Sequence, residues 1–271
     1  MSPLWRDEIG IHLSPTRVCM VRLRRGLRPS VAAEYEHALT EKGATDWTSA
    51  LNHAASLLAT PEWQQAVARV VVADAWVRYA IVPWAAALNS TAERAAHARQ
   101  LLVSAYGEVV QDWELRLSDA PPETPRVACA IPTELLLQIR TLLMSHRIRL
   151  VSLQSQLTFA YENWRHCLPA SGAWFVTIGE GTLAAARLHQ RCWDRVHTVR
   201  IGQDWARELR RLQTFGRLAS VNPAEGAVYV DAPQAWREVA GDTVQNLHWL
   251  EADDSRISTL PRLGRVRRLA A

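Results

Sequence analysis

The chain has 271 residues and is 48% hydrophobic, which is enough for one large domain or two lobes with apolar cores. Its formal net charge of +4 is carried almost entirely by arginine, because Lys42 is the only lysine. No phosphate-loop motif surrounds Lys42, so the sequence argues against lysine chemistry. The charged fraction of 21% is ordinary for a globular protein and excludes a long disordered tail composition.

The four cysteines are scattered and form no Cys-x-x-Cys pair, which predicts buried thiols in a reducing compartment rather than a zinc or disulfide framework. The most apolar stretch is interrupted by Arg69, Asp74 and Arg78, so it is not a candidate membrane helix. Charged residues also follow the first methionine closely, unlike a signal peptide. We therefore expect a cytoplasmic protein.

Residues 1–75 have the pattern of one compact α/β lobe. The pattern predicts two alternating strands over 8–23, joined by a turn at Ser14 to Thr16, and a third strand over 30–39. A helix capped by Asp46 follows, and then a short strand over 69–74 that is buried on both faces.

The next segment, residues 76–147, predicts an inserted β-α-β-β-α subdomain, in which "EVVQDWELRLS" is taken as a strand and Pro132 precedes the last helix. Residues 148–167 return the chain to the first lobe by a strand and a helix. Residues 168–252 repeat the three-strand, helix and strand order as a second lobe. Residues 253–271 end the chain as a short basic tail.

This order of elements resembles the actin-like ATPase superfamily, and within it the PilM type of type IV pilus assembly protein. The stretch "RVACAIPTELLLQIRTLLMSHRIRLVSLQSQLTFAYE" is the most similar, since it has the family's strand, helix and return to the first lobe. Related families are the cytoplasmic domain of the GspL type from type II secretion and the cell-division protein FtsA. The resemblance implies an α/β, actin-like (ribonuclease H-like) fold of two lobes with a small inserted subdomain.

The two phosphate loops of the family each contain an acid that this chain lacks. The first loop resembles G-I-D-x-G-S in the ATP-binding members, and here His12 stands for the acid and Ser14 for the glycine. The second resembles D-I-G, and here Thr177 stands for the acid before Ile178 and Gly179. His12 has two interpretations, a phosphate contact or a histidine packed in the protein interior. Glu180, which follows Gly179, also has two: a displaced acid that binds a metal, or part of a solvated turn. Both alternatives stay open.

The adenosine side also departs from the family's pattern. The motif G-G-x-x-L falls on Gly202 and Gln203, and a late G-G turn falls on Asp231 and Ala232. Magnesium is normally held through carboxylates and phosphates, and glycine allows phosphate to approach the backbone closely. We therefore expect a degenerate site that binds neither ATP nor magnesium, and no enzymatic activity.

The resemblance implies a partner instead. PilM proteins dock the short cytoplasmic N-terminal segment of a bitopic PilN-type protein in a groove between the first lobe and the insert. The residues predicted to line it here are Trp76, Tyr79, Val82 and Trp84, with the helix after Pro132. A motor ATPase of the same pilus or secretion machine is a further candidate partner, and association with the inner membrane would then be indirect.

Two alternatives remain at the level of sequence. One is an active actin-like or sugar-kinase-like ATPase whose acids lie elsewhere. The other is a nucleic-acid-binding module, which is disfavoured because the arginines are interleaved with 27 acidic residues.

Overall fold

The structure is a computed structural model, and it describes residues 6–24, 30–40, 46–88, 90–179, 181–202, 205–218, 227–233, 236 and 246–250. The chain divides into two compact units. Among the described residues, the first unit combines 6–76 with 134–163, and the second combines 77–133 with 164–250. The predicted basic tail, residues 253–271, lies outside the described residues. The segment 76–147 that the sequence sets apart as an insertion is thus divided between the two units.

A five-stranded sheet forms the centre of the first unit, in the order β3-β2-β1-β4-β8. Its strands are β1 (Glu8–Leu13), β2 (Arg17–Arg24), β3 (Ser30–Ala38), β4 (Val67–Val72) and β8 (Arg149–Ser155). The first three strands are antiparallel neighbours, whereas β4 pairs in parallel with β1 and β8. Every residue of β1 is buried, as expected for a central strand that is covered on both faces.

Three helices belong mainly to the first unit: α1 (Thr48–Leu58), α3 (Thr133–Ser145) and α4 (Gln156–Trp164). The N-cap position of α1 is Trp47 and not the predicted Asp46. The Asp46 carboxylate, one residue earlier, still accepts a hydrogen bond from the Thr48 amide at 2.8 Å and so satisfies the first amide of the helix. The Trp47 indole donates to Gln138 Oε1 at 2.9 Å and so ties the start of α1 to α3. The apolar stripe of α3 is buried through Leu135, Leu136, Ile139 and Leu143.

The second unit contains another five-stranded sheet, in the order β11-β10-β9-β12-β13. Its strands are β9 (Ala173–Gly179), β10 (Thr182–His189), β11 (Cys192–Arg200), β12 (Ala227–Asp231) and β13 (Leu247–Trp249). Helix α5 (Trp205–Leu218) covers one face, where fully buried Trp205 and Leu209 pack with Trp174, Val176 and Ile178. The two five-stranded sheets have the same order of antiparallel and parallel neighbours, which is the repeated lobe predicted from the sequence.

A small three-stranded sheet completes the second unit, in the order β5-β7-β6. It consists of β5 (Arg78–Val82), β6 (Glu114–Leu117) and β7 (Arg126–Ile131), and α2 (Thr91–Tyr106) packs on it. The predicted strand over "EVVQDWELRLS" is wrong in its first half, because residues 108–110 form a turn of 3-10 helix after Gly107. Gly107 has a φ of 82°, a backbone conformation that ends α2 and that glycine adopts without strain.

No helix in the described part of the chain is long and apolar enough to cross a membrane.

Two histidines join α1 to the outer strand of the first unit. The rings of His37 on β3 and His53 on α1 stack with centroids 4.1 Å apart, and Tyr35 Oη lies 2.9 Å from His53 Nε2. Burial lowers the pKa of His53, and the neighbouring charge of His37 lowers it further. The folded protein therefore favours neutral His53, whereas the unfolded chain protonates this residue near its ordinary pKa of about 6.5.

We expect the melting temperature to fall as the pH is lowered through about 6.5, because the unfolded chain then binds a proton that folded His53 resists. Above that pH this contribution should not change. His53→Gln should flatten the dependence, measured by thermal unfolding between neutral and mildly acidic pH. The same substitution at exposed His166 is the matched control, and an equal flattening by both variants would contradict the assignment.

Candidate functional site

The turn between β1 and β2, where the first phosphate loop was expected, is closed by its own side chain. Ser14 Oγ donates to the Arg17 carbonyl at 2.9 Å and accepts from the Arg17 amide at 3.0 Å. The Ser14 amide also donates to the Arg17 carbonyl, at 3.0 Å. Phosphate cradles are made of backbone N–H groups that point toward the ligand. Here two of these groups are directed into the turn.

His12, which stands in place of the first acid, lies inside β1 with 2% of its surface exposed. Its strand neighbours are Cys19 on β2 and Val71 on β4. The residue is thus part of the packed interior of the first sheet. An imidazole at this position does not offer the oxygen ligands that magnesium prefers.

Thr177, which stands in place of the second acid, is also buried, at 1% exposure, and its hydroxyl lies 3.5 Å from the Ala184 carbonyl across the sheet. Gly179 pairs with Thr182, so β9 and β10 are joined by a two-residue hairpin turn. Gly181 in that turn has a φ of 74°, which requires glycine-like freedom. Glu180, the suggested displaced acid, lies outside the described residues.

The positions expected to contact adenosine are partly described. A Cβ added to Gly202 would meet no atom within 4 Å, so packing does not demand glycine there. Gln203 lies outside the described residues. Asp231 ends β12 and is the register partner of Thr177 on the adjacent strand β9. One carboxylate therefore lies beside the position where the second acid is missing.

A metal centre needs several side-chain ligands, such as carboxylates, imidazoles or thiolates. Within the described ranges, no group of three or more histidine, cysteine, aspartate or glutamate side chains is arranged to hold a metal ion.

The four residues predicted to contact a partner fall into two groups. Trp76, Tyr79 and Val82 are buried, each with at most 3% of its surface exposed, whereas Trp84 is 51% exposed. The Tyr79 carbonyl accepts a hydrogen bond from Tyr106 Oη on α2 at 3.2 Å. Trp84 is thus the one of the four that the surface offers, and the other three are interior residues.

Trp84 borders a shallow hollow at the end of β5, open to solvent and with room for about one water molecule. Its other walls include Leu88, which precedes α2, Arg94 on α2 and Arg126 at the start of β7. Arg126 is fixed in place, because its guanidinium donates to the Ser118 and Ala120 carbonyls at 2.9 Å each. Both carbonyls belong to the proline-rich loop over residues 118–126, and no pattern in the sequence indicates that this loop is anchored.

The arrangement of two similar sheets and an inserted small sheet defines the actin-like class of fold. Three solved structures show the same fold. One is a protein of unknown function with an actin-like ATPase fold from Bacteroides thetaiotaomicron, at TM-score 0.65 and 8% identity, covering 96% of both chains.

The second is a chain of the PilM-PilN type IV pilus biogenesis complex, at TM-score 0.65 and 13% identity, covering 94% of this chain and 93% of that one. The third is the cytoplasmic domain of EpsL, an inner-membrane component of the type II secretion system of Vibrio cholerae. It has TM-score 0.55 and 11% identity, with 92% of this chain and 88% of that one covered. At the level of sequence, no family model and no curated relative matches.

We expect Tyr79→Ala and Trp84→Ala to affect stability very differently. Truncating buried Tyr79 should cost about 3 kcal/mol of the free energy of unfolding, because it leaves a cavity between β5 and its neighbours. Truncating half-exposed Trp84 should leave stability nearly unchanged. Chemical denaturation of both variants measures this, and equal losses would show that Trp84 also belongs to the core.

Proposed function

We propose that this protein is a non-catalytic scaffold of a type IV pilus or type II secretion assembly platform at the inner membrane. The support for this machine is the likeness to the PilM-PilN complex chain and to the EpsL domain over more than nine-tenths of the chain. The proposal places the protein in the cytoplasm, held at the membrane by its partners.

The observation that carries the non-catalytic part is the self-closed turn between β1 and β2. The Arg17 amide donates its hydrogen bond to Ser14 Oγ. The acids of both phosphate loops are replaced by the buried residues His12 and Thr177. Phosphoryl transfer depends on positioning and on charge compensation by metal and donors. With neither phosphate loop supplying an acid, we propose that the chain uses no ATP and no magnesium.

We further propose that the partner is a bitopic protein of the PilN type, whose cytoplasmic N-terminal segment docks against the second unit at Trp84. A half-exposed tryptophan beside a concave surface is a typical anchor, since it offers a large rigid area at low conformational cost. The buried residues Tyr79 and Val82 hold β5 and hence the position of this surface. A motor ATPase remains a further proposed partner without an assigned surface.

The competing function is an active ATPase, and Asp231 is the observation that favours it. Asp231 is adjacent in register to Thr177, so its carboxylate belongs to the strand beside the place of the missing second acid. A single carboxylate without a first-loop acid falls short of the usual magnesium environment.

Calorimetric titration with Mg-ATP should give no binding heat, and the protein should release no phosphate from ATP. The double variant His12→Asp with Thr177→Asp should also remain inactive, because the turn amides are still directed into the turn by Ser14. Its melting temperature must be measured in parallel, since both positions are buried. Turnover in the unmodified protein that EDTA abolishes would establish the ATPase alternative.

The docking proposal is tested with a synthetic peptide that corresponds to the cytoplasmic N-terminal segment of a PilN-type membrane protein. Trp84→Ala should weaken peptide binding about thirtyfold or more, because losing an interface anchor costs on the order of 2 kcal/mol. Val109→Ala is the matched control, since Val109 is 71% exposed in the same unit and does not line the hollow. Undiminished affinity of a folded Trp84→Ala protein would place the partner elsewhere.

A further inference from the structure

Helix α5 is strongly basic. It contains four arginines against one glutamate, whereas the net charge of the whole chain is only +4. The arginines are Arg207, Arg210, Arg211 and Arg217. Arginines also cluster over residues 22–28 and in the basic tail, which lie partly and wholly outside the described residues, so α5 is the basic element whose outer face can be followed.

Helical geometry aligns three of these arginines on the outer face. Arg207, Arg210 and Arg211 are spaced i, i+3 and i+4, which places them within one side of a helix with 3.6 residues per turn. All three are exposed, whereas Trp205 and Leu209 on the opposite side are fully buried against the sheet. The buried side fixes the rotation of α5, so the arginines must face outward.

Strand β11 extends this basic face. Val199 of β11 packs against the cluster that contains Trp205 and Leu209, so this face of the strand lies beside α5. His197 is on the same face; burial lowers its pKa most, Glu208 raises it and Arg211 lowers it. Arg195 is two residues away on the same face of the strand and is exposed. We name Arg195, Arg207, Arg210 and Arg211 the arginine ridge.

Two of the described acids lie near the ridge. Glu208 lies 3.8 Å from Arg211, a long ion pair with an Arg211 side chain that is 66% exposed. Asp194, next to Arg195, forms a two-pronged ion pair with Arg187. The ridge is built from arginine, which stays charged at every ordinary pH.

We infer that the arginine ridge binds the anionic headgroups of a membrane surface. Guanidinium groups pair bidentately with phosphate, and a convex helix face with outward arginines suits a broad negative surface rather than a narrow cleft. The choice of a membrane rests on the proposed function, which holds the protein next to a membrane-anchored partner. A single-stranded nucleic acid is less well matched, because such sites place stacking aromatics among the charges, and the described outer face of α5 presents arginines and Thr214.

The strength of such a contact can be estimated. Each basic residue at an anionic surface contributes about fivefold to the partition constant. The ridge alone therefore gives weak and salt-sensitive binding, which becomes substantial only when a partner holds the protein close to the bilayer. The ridge would then orient the second unit rather than anchor the protein by itself.

The test is co-sedimentation of the full chain, at low salt, with vesicles of phosphatidylcholine alone or mixed with phosphatidylglycerol. The protein should bind only the mixed vesicles, and added salt should release it. Arg207→Gln with Arg211→Gln should weaken binding about 25-fold, as two basic residues are lost. The matched control is Arg140→Gln with Arg149→Gln, two exposed arginines of the first unit with the same change of charge, which should retain most of the binding.

If the first double variant does not fold, Arg195→Gln with Arg210→Gln tests the same ridge. Equal binding to both kinds of vesicle, or equal losses in the ridge and control variants, would overturn the inference. Stronger binding to a short single-stranded DNA than to the mixed vesicles, lost in the same ridge variants, would assign the ridge to nucleic acid instead. If the protein binds the partner peptide but no vesicles, membrane binding by the ridge is contradicted and the proposed function is not. If it binds vesicles but no peptide, membrane binding by the ridge is supported and the proposed partner is contradicted.

Discussion

The hydrogen bonds of Ser14 close the turn between β1 and β2, and the proposed loss of nucleotide binding depends on this closure. In this chain a serine hydroxyl and a carbonyl satisfy the turn between the first two strands, with the Arg17 amide and the Ser14 amide both directed inward. Backbone amides form strong hydrogen bonds that must be satisfied somewhere, and a turn that satisfies its own has fewer to give a phosphate. Under the proposal of a non-catalytic scaffold, the fold keeps its strand, turn and strand without the electrostatics of a nucleotide site.

The surrounding sheets accommodate the replacement of the two acids by His12 and Thr177. All six residues of β1 are buried, so His12 is held among β2 and β4 as an interior side chain rather than as a ligand at an open edge. Thr177 has the same relation to the second sheet, where it lies between β10 and β12. In both sheets the position of an acid, which would be costly to bury without a cation, is taken by a histidine or a threonine. On the proposed function, the fold serves as a rigid support for Trp84 and for the arginine ridge.

Much of the fold was predictable, because the spacing of apolar residues shows whether a helix or a strand would bury them on one face. The alternating pattern of β1 and β2, and the stripe of Leu135, Ile139 and Leu143, led directly to the right elements. Periodicity does not say what covers a strand. Tyr79 and Val82 were therefore taken as surface contacts, although α2 packs on β5 and both residues are interior.

The sites were less predictable for the same reason. The sequence shows that His12 and Thr177 replace acids, but the closure of the turn by Ser14 needs coordinates, since a serine in a turn can point either way. Likewise the arginines of α5 were visible in the sequence, and only the burial of Trp205 and Leu209 shows that three of them face outward together. Local pattern predicts elements, whereas the direction of a side chain depends on tertiary packing.

Amide hydrogen exchange at the turn between β1 and β2 tests the non-catalytic interpretation most directly. With Ser14 holding the Arg17 amide, this amide should exchange slowly in the protein alone, and adding Mg-ATP should not change its rate. Ser14→Ala should speed the exchange, again without a response to nucleotide. New protection of the Ser14 or Arg17 amides on adding Mg-ATP would show that the turn opens to bind phosphate, and would contradict the interpretation of this protein as a scaffold without a nucleotide.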